Sequence, residues 1–272
     1  MRPVQLLIEG VFDRLVGGLS ALSPVVIVTV IALLVTIPIL LVVRVLTDGA
    51  KVRATKNTIK GHLLELWLFR DDTRVVMGAQ GRILHLNARY IFLTLKPFLV
   101  LLIPMALILI PLESWFGLRA LRPGDAATVV ASAGSAGPLD SAAIAVSDGL
   151  SVETPALRMP ATREIAWRIR ALRPGEHTVW IEVNGQRLEK RVVVAQGLAS
   201  VSPLRVSSAS WETVLYPAEP PLPASAGIDR IAVDYPPASL RIFGFEMHWL
   251  IYFVLVTVVF MFALRRPLRV EI

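Results

Sequence analysis

The sequence has 272 residues, 54% of them hydrophobic, a net charge of +7 and a mean hydropathy of +0.62. A chain this apolar is not an ordinary soluble domain. It contains no cysteine, which excludes disulfides, thiol catalysis and cysteine-based metal sites.

Residues 1–23 predict an amphipathic helix on the outer membrane surface. Leu7, Val11 and Leu15 recur at helical spacing on an apolar face, whereas Glu9 and Asp13 lie away from that face. These two acidic residues, and the long apolar segment that follows, distinguish the region from a signal peptide.

Three apolar segments predict three transmembrane helices. Residues 24–43 are uncharged throughout and would form about 30 Å of helix, enough to cross the hydrocarbon core. The second segment, 97–116, has a shorter uncharged run and needs its flanks to reach full length. The third, 245–264, precedes a basic tail, 265–272. A short apolar run is also typical of a buried core helix, but three runs with matching charge asymmetry favour spans.

The loop between the first two spans, residues 44–96, determines the predicted orientation. It contains ten Lys and Arg against four Asp and Glu, and short loops rich in Lys and Arg stay in the cytoplasm. We therefore expect a multi-pass protein of the inner cell membrane, with the N-terminus and residues 113–248 outside and the C-terminus in the cytoplasm. Membrane lipids with anionic headgroups are the expected partners of this loop, and no nucleic acid is expected.

The same loop predicts a helical hairpin. Residues 70–73 form the turn, and Asp72 is a suitable N-cap for the second arm. Trp67 and Phe69, close to the turn, fit either contact with lipid or packing between the arms. The apolar positions at helical spacing are Ile59, Leu63 and Leu66 in the first arm and Val75, Ala79, Ile83, Leu86 and Tyr90 in the second.

The hairpin carries Arg70-Asp71-Asp72, Gln80, Asn87 and Tyr90, and it leads into a proline-interrupted second span that begins KPFLVLLIPM at Lys96. With the surface helix and first span before it, this arrangement resembles the core of the YidC/Oxa-type membrane-protein insertases, including their three-span relatives. The resemblance covers residues 1–118 and the last span.

The resemblance implies a polar groove that opens to the cytoplasm and a hairpin that recruits client proteins. Candidate groove residues are Thr29, Thr36, Thr94 and Lys96. Bacterial members of the family often place an arginine within the groove, whereas the first span here has none before Arg44. Candidate contacts of the hairpin with clients or lipid are Arg53, Lys56, Lys60, Arg74, Arg82 and Arg89.

Residues 119–200 predict an immunoglobulin-like β-sandwich, which makes the fold class an α+β membrane protein. Apolar and polar residues alternate around Trp167, which is expected to fill the core in place of a disulfide. Asn184-Gly185 is the favoured two-residue type I′ hairpin turn, and further turns recur at the spacing of a sandwich. Residues 201–241, rich in Pro and Ser, predict an extended tether with one or two added strands, and the candidate strand is Ile231 to Asp234.

The sequence offers no pattern for catalysis, a cofactor or a metal site, so we do not expect an enzyme. The four histidines are scattered, and no phosphate-binding loop is present. Two functions remain open. The first is an insertase-like or chaperone-like protein that assists membrane-protein clients. The second is a structural subunit that anchors the β-sandwich among the subunits of an envelope complex.

Overall fold

The protein is an α+β chain whose helices and strands belong to two compact units. The computed structural model describes residues 2–19, 22–47, 49–68, 73–134, 142–242 and 244–268, with side chains from residue 10 onwards and, in the fourth helix, from residue 76. One unit comprises Met1–Val28 and Leu107–Tyr252. The other comprises Thr29–Ala106 and Phe253–Ile272.

Five α-helices lie within the described residues. They are α1 (Arg2–Gly18), α2 (Pro24–Leu46), α3 (Gly49–Leu68), α4 (Thr73–Phe116) and α5 (Trp249–Leu264). In the described part of the chain, α2 and the Val76–Phe116 portion of α4 are long and apolar enough to cross a membrane. Helix α5 is also apolar but has 16 residues.

The second arm of the predicted hairpin and the second predicted span are one helix. Helix α4 continues for 44 residues without a break at Lys96. Its prolines, Pro97, Pro104 and Pro111, follow one another at intervals of about two helical turns and therefore lie on one side of the helix. Each proline removes a backbone N–H, so the missing hydrogen bonds are confined to that side.

Helix α3 and residues 73–93 of α4 make up the helical hairpin. Residues 70–72 of the predicted turn 70–73, including the predicted cap Asp72, lie outside the described residues, and Thr73 is the first residue of α4. Of the apolar positions at helical spacing in the first arm, Ile59 and Leu66 are half-buried, whereas Leu63 is exposed and His62 is half-buried beside it. The buried and half-buried side chains alternate at spacings of three and four, as in paired helices. They are Val52, Thr55, Ile59, His62 and Leu66 in α3, with Glu65 beside Leu66, and Val76, Ala79, Ile83, Leu86, Tyr90 and Leu93 in α4.

Two antiparallel sheets share one buried core in the β-domain, residues 118–247. The larger sheet has the order β3-β5-β1-β9-β8, with β4 also paired to β5, and the smaller sheet has the order β2-β6-β7; β10 and β11 form a separate hairpin. The strands are β1 (Ala126–Ala133), β2 (Ala143–Val146), β3 (Leu150–Val152), β4 (Leu157–Met159), β5 (Glu164–Ala171), β6 (Gly175–Val183), β7 (Gln186–Val194), β8 (Leu204–Val206), β9 (Ile228–Val233), β10 (Leu240–Ile242) and β11 (Phe245–Met247).

Two local predictions in the β-domain are confirmed. Trp167 is buried in the core, where β5 pairs with β1. Asn184 and Gly185 both adopt positive φ, 52° and 73°, as a type I′ turn between β6 and β7 requires. The turn fixes the register of the pairing that runs from Gly175↔Val194 to Val183↔Gln186.

The segment 201–241 is not a simple tether. It supplies β8 and β9, and β9 pairs with β1 from Val129↔Val233 to Ala133↔Ile228. Tyr235 is also buried in the core, and its hydroxyl accepts a hydrogen bond from the backbone N–H of Val193 at 3.0 Å. Strand β9 overlaps the candidate strand Ile231 to Asp234, whereas β8 was not predicted. Prolines lie near both strands but not within them.

We expect a fragment of residues 118–240 to unfold cooperatively on heating and a fragment of residues 119–200 to remain unfolded. The shorter fragment leaves β1 without its neighbour β9 and removes Ile231, Val233 and Tyr235 from the core. Circular dichroism of both fragments during a thermal ramp measures the difference. A cooperative melt of the shorter fragment would contradict this boundary.

Candidate client groove and helical hairpin

Three helices of the second unit line a groove of about 350 Å³. Near one end of the groove, Leu40 and Val43 of α2 are buried against partly buried side chains that include Leu101 and Met261. The groove is open along its side, and several of its lining side chains are exposed. Its lining consists of Ile39, Val43, Phe98, Leu101, Leu102, Met105, Phe253, Val254, Thr257, Val258 and Met261.

One polar side chain lines this otherwise apolar groove. Thr257 Oγ1 is buried and has no hydrogen-bond partner among the described residues. A threonine in a helix usually donates to the carbonyl one turn earlier, as Thr36 does to Ala32 at 2.6 Å. The hydroxyl of Thr257 is therefore available to an acceptor brought by an occupant of the groove.

The four residues predicted for a polar groove are not brought together in this one. Thr36 is buried and already bonded within α2, and Thr29 is half-buried on the same helix. Thr94 is exposed and donates to the carbonyl of Tyr90 at 2.9 Å, and Lys96 is exposed. Thr257 was not predicted as a groove residue. The sequence signal that could have identified it is its position as the single threonine of the apolar run 249–264.

The basic residues of the hairpin face solvent. Glu65 joins the two arms: it accepts from Arg82 at 2.8 Å and lies 2.7 Å from His62 Nδ1. These two partners, His62 first, lower the pKa of the Glu65 carboxyl below its usual value. Arg74, the remaining predicted contact residue, lies outside the described side chains. The exposed basic residues are Arg53, Lys56, Lys60, Arg82 and Arg89.

The end of the hairpin near the turn is apolar and exposed. Trp67 is 75% exposed, and Leu64, Leu68 and Met77 are each about two-thirds exposed. Trp67 therefore does not pack between the arms, because a side chain packed there would be buried. Phe69 lies outside the described residues. The hairpin thus combines basic flanks with an apolar end.

In the β-domain, a buried ion pair fixes a long loop. Lys190 on β7 is fully buried; its ammonium group donates to the carbonyl of Ser202 at 2.6 Å and to the carboxylate of Glu219. That carboxylate also accepts the backbone N–H of Arg191 at 3.0 Å. Burial lowers the pKa of Lys190, and the negative charge of Glu219 opposes this effect. The loop of residues 207–222, closed by a bridge between Ser207 and Leu222, is thereby held on the sheet.

Two indole groups bind carboxylates at the ends of the apolar helices. Trp115 Nε1 donates to Asp13 of α1 at 3.0 Å, and Trp249 Nε1 donates to Glu113 at 2.9 Å. The rings of Trp249 and Phe116 lie 6.4 Å apart. Aromatic residues with one polar atom suit a boundary between apolar and aqueous surroundings. These contacts connect α1, α4 and α5 within the first unit.

No protein-family model matches the sequence, and no curated protein is detectably similar to it. Among the described residues, no group of three or more histidine, aspartate or glutamate side chains is arranged to hold a metal ion.

We expect Glu219→Ala to lower the free energy of unfolding of the β-domain by about 3–5 kcal/mol, because it leaves Lys190 buried and charged without its partner. Urea denaturation of the 118–240 fragment measures this. The matched control is the double variant Lys190→Met with Glu219→Gln, which removes both charges and keeps an acceptor for Arg191. The control should cost much less, and equal losses in the two variants would contradict the ion-pair argument.

Proposed function

We propose that this chain is a three-span protein of the inner cell membrane. Its spans would be α2, the part of α4 from residue 97 onwards, and α5. The length and apolar character of α2 and α4 support this, as do the indole–carboxylate contacts at the ends of α4 and α5. Helix α5, with 16 residues, reaches spanning length with its flanking residues from His248 to Arg265. The basic loop 44–96 favours a cytoplasmic hairpin.

We further propose that the protein assists the insertion or assembly of membrane proteins, as the YidC/Oxa-type resemblance implies. The observation that carries this proposal is the open groove formed by α2, α4 and α5. Its apolar lining suits a transmembrane helix of a client, and the unpaired hydroxyl of Thr257 suits a polar side chain on that helix. The activity is therefore closer to that of a chaperone for spans than to that of a conduit for polar segments.

The hairpin fits the recruitment of such clients. Helix α4 runs from the hairpin to the groove without interruption, so both belong to one element of the second unit. The exposed end around Trp67 presents apolar surface to an emerging span, and Lys and Arg on the flanks attract anionic lipid headgroups. A client captured at the hairpin would thus be adjacent along α4 to the groove.

The alternative function is a structural subunit whose spans anchor the β-domain in an envelope complex. The β-domain, with its two stacked sheets, resembles an immunoglobulin-like sandwich in layering, although its first strand is central in the larger sheet. The loop fixed by Lys190 and Glu219 carries Trp211, which is 74% exposed. An exposed tryptophan on an anchored loop is typical of protein-binding surfaces. This observation favours the function of a structural subunit.

We expect Asn184→Cys to react with a membrane-impermeant maleimide while the inner membrane is intact, and Lys60→Cys to react only after that membrane is opened. Both positions are exposed, and the natural chain has no cysteine to interfere. The labelling is measured by the mass shift of the protein. The reverse pattern would overturn the proposed orientation.

We expect a photo-crosslinking residue at Leu102 or Val258 to capture many unrelated nascent membrane proteins. Val259 is the matched control, because it neighbours Val258 on α5, is exposed and does not line the groove. Ribosome-bound clients stalled with one span exposed are the targets, and crosslinked products are identified by mass spectrometry. Crosslinks from the groove to lipid alone, or to one constant subunit whatever the client, would contradict the chaperone-like function.

A further inference from the structure

The hairpin of β10 and β11 has one apolar and one polar face. Residues paired across an antiparallel ladder lie on the same face, so Leu240 with Met247 and Ile242 with Phe245 share one face. Arg241 and Glu246 are paired on the other face, with 3.6 Å between Arg241 Nε and Glu246 Oε1. The turn contains Gly244, whose φ of 88° is readily adopted only by glycine.

The apolar face is covered at its base and uncovered at its tip. Leu240 is 5% exposed, whereas Phe245 is 75% exposed. A two-stranded sheet by itself is marginal in water and needs a surface against which to pack its apolar face. The described residues of the first unit provide that surface at the base of the hairpin but not around Phe245.

The position of the hairpin in the chain limits what covers its tip. Phe245 precedes Trp249, the first residue of α5, by four residues, which span at most about 14 Å when fully extended. If α5 enters the membrane at Trp249, as proposed above, Phe245 lies within this distance of the outer boundary of the hydrocarbon. Aromatic side chains are enriched in this interfacial layer.

We propose that the β10–β11 hairpin is a membrane anchor, with Phe245 embedded in the interface of the outer leaflet and the ion pair of Arg241 and Glu246 facing water. The occupant of its apolar tip is lipid. The anchor fixes the depth at which α5 begins, which matters for a span that has only 16 helical residues. The inference rests on the proposed membrane placement of α5.

The experiment uses spin labels on single cysteines in the full-length chain, reconstituted in phosphatidylcholine and phosphatidylglycerol vesicles. The labelled variants are Phe245→Cys at the apolar tip, Glu246→Cys on the polar face and Ile251→Cys on the exposed surface of α5. Power-saturation measurements compare collisions with oxygen, which partitions into lipid, and with a water-soluble nickel chelate. We expect a lipid-like ratio at 245 and 251 and a water-like ratio at 246, with the collision ratio differing severalfold between 245 and 246.

The outcomes separate this inference from the proposed function. A water-like ratio at 245 with a lipid-like ratio at 251 would overturn the anchor while α5 remains in the membrane. Protection of 245 from both reagents would also overturn it, because the tip would then be covered by protein. A water-like ratio at 251 would overturn the membrane placement of α5 and the anchor with it. Dilution of the vesicles to low protein density should leave the signal at 245 unchanged.

Discussion

The unbroken backbone of α4 is the constraint on which the second unit depends. The same helix supplies one arm of the hairpin and one wall of the groove, so a break at Lys96 would separate the two. The helix continues through three prolines, whose spacing of about two turns places the missing N–H groups on one side of it. The helical spacing of the side chains is therefore preserved along α4. Phe98, Leu101 and Met105, three and four residues apart, lie on one face and line the groove.

The groove differs in chemistry from the polar groove that the resemblance implies. Hydroxyl groups in apolar helices have few acceptors other than the helix backbone, and Thr36 and Thr94 use the carbonyls one turn earlier. Such threonines add little polarity to their surroundings. Thr257 is the exception, so the groove carries a single point of hydrogen-bonding specificity within an apolar lining. Under the proposed chaperone-like function, this arrangement would suit recognition of a mostly apolar helix with one polar side chain better than the passage of a charged segment.

The β-domain relies on a different balance. Removing Lys190 and Glu219 from water is costly, and the cost is offset because the ammonium group and the carboxylate each bind further backbone groups. The pair holds the proline-rich loop of residues 207–222 against β7. Arg205 adds to this fixation by donating to the carbonyl of Pro220 at 2.6 Å. A well-ordered loop with an exposed tryptophan is the result.

The sequence predicted those features that depend on local pattern. The helix periods, the type I′ turn at Asn184-Gly185 and the buried Trp167 each follow from residues close in the chain. It indicated a strand at 231–234, which overlaps the end of β9, but not the pairing of β9 with β1, because that pairing joins residues about a hundred positions apart. It did not indicate β8, which pairs with β9.

The candidate site divides in the same way. The sequence located the basic residues of the hairpin, since charge is read directly from composition. The polar groove of Thr29, Thr36, Thr94 and Lys96 stays a prediction, and these residues do not line the groove of α2, α4 and α5. Whether a threonine hydroxyl is free depends on its rotamer and on which helix faces it. The sequence therefore determined the helices, the charge bias and the local turns. Only the tertiary structure decided which polar groups already have hydrogen-bond partners. Hydrogen bonds and burial depend on residues that are close in space but can be far apart in the sequence.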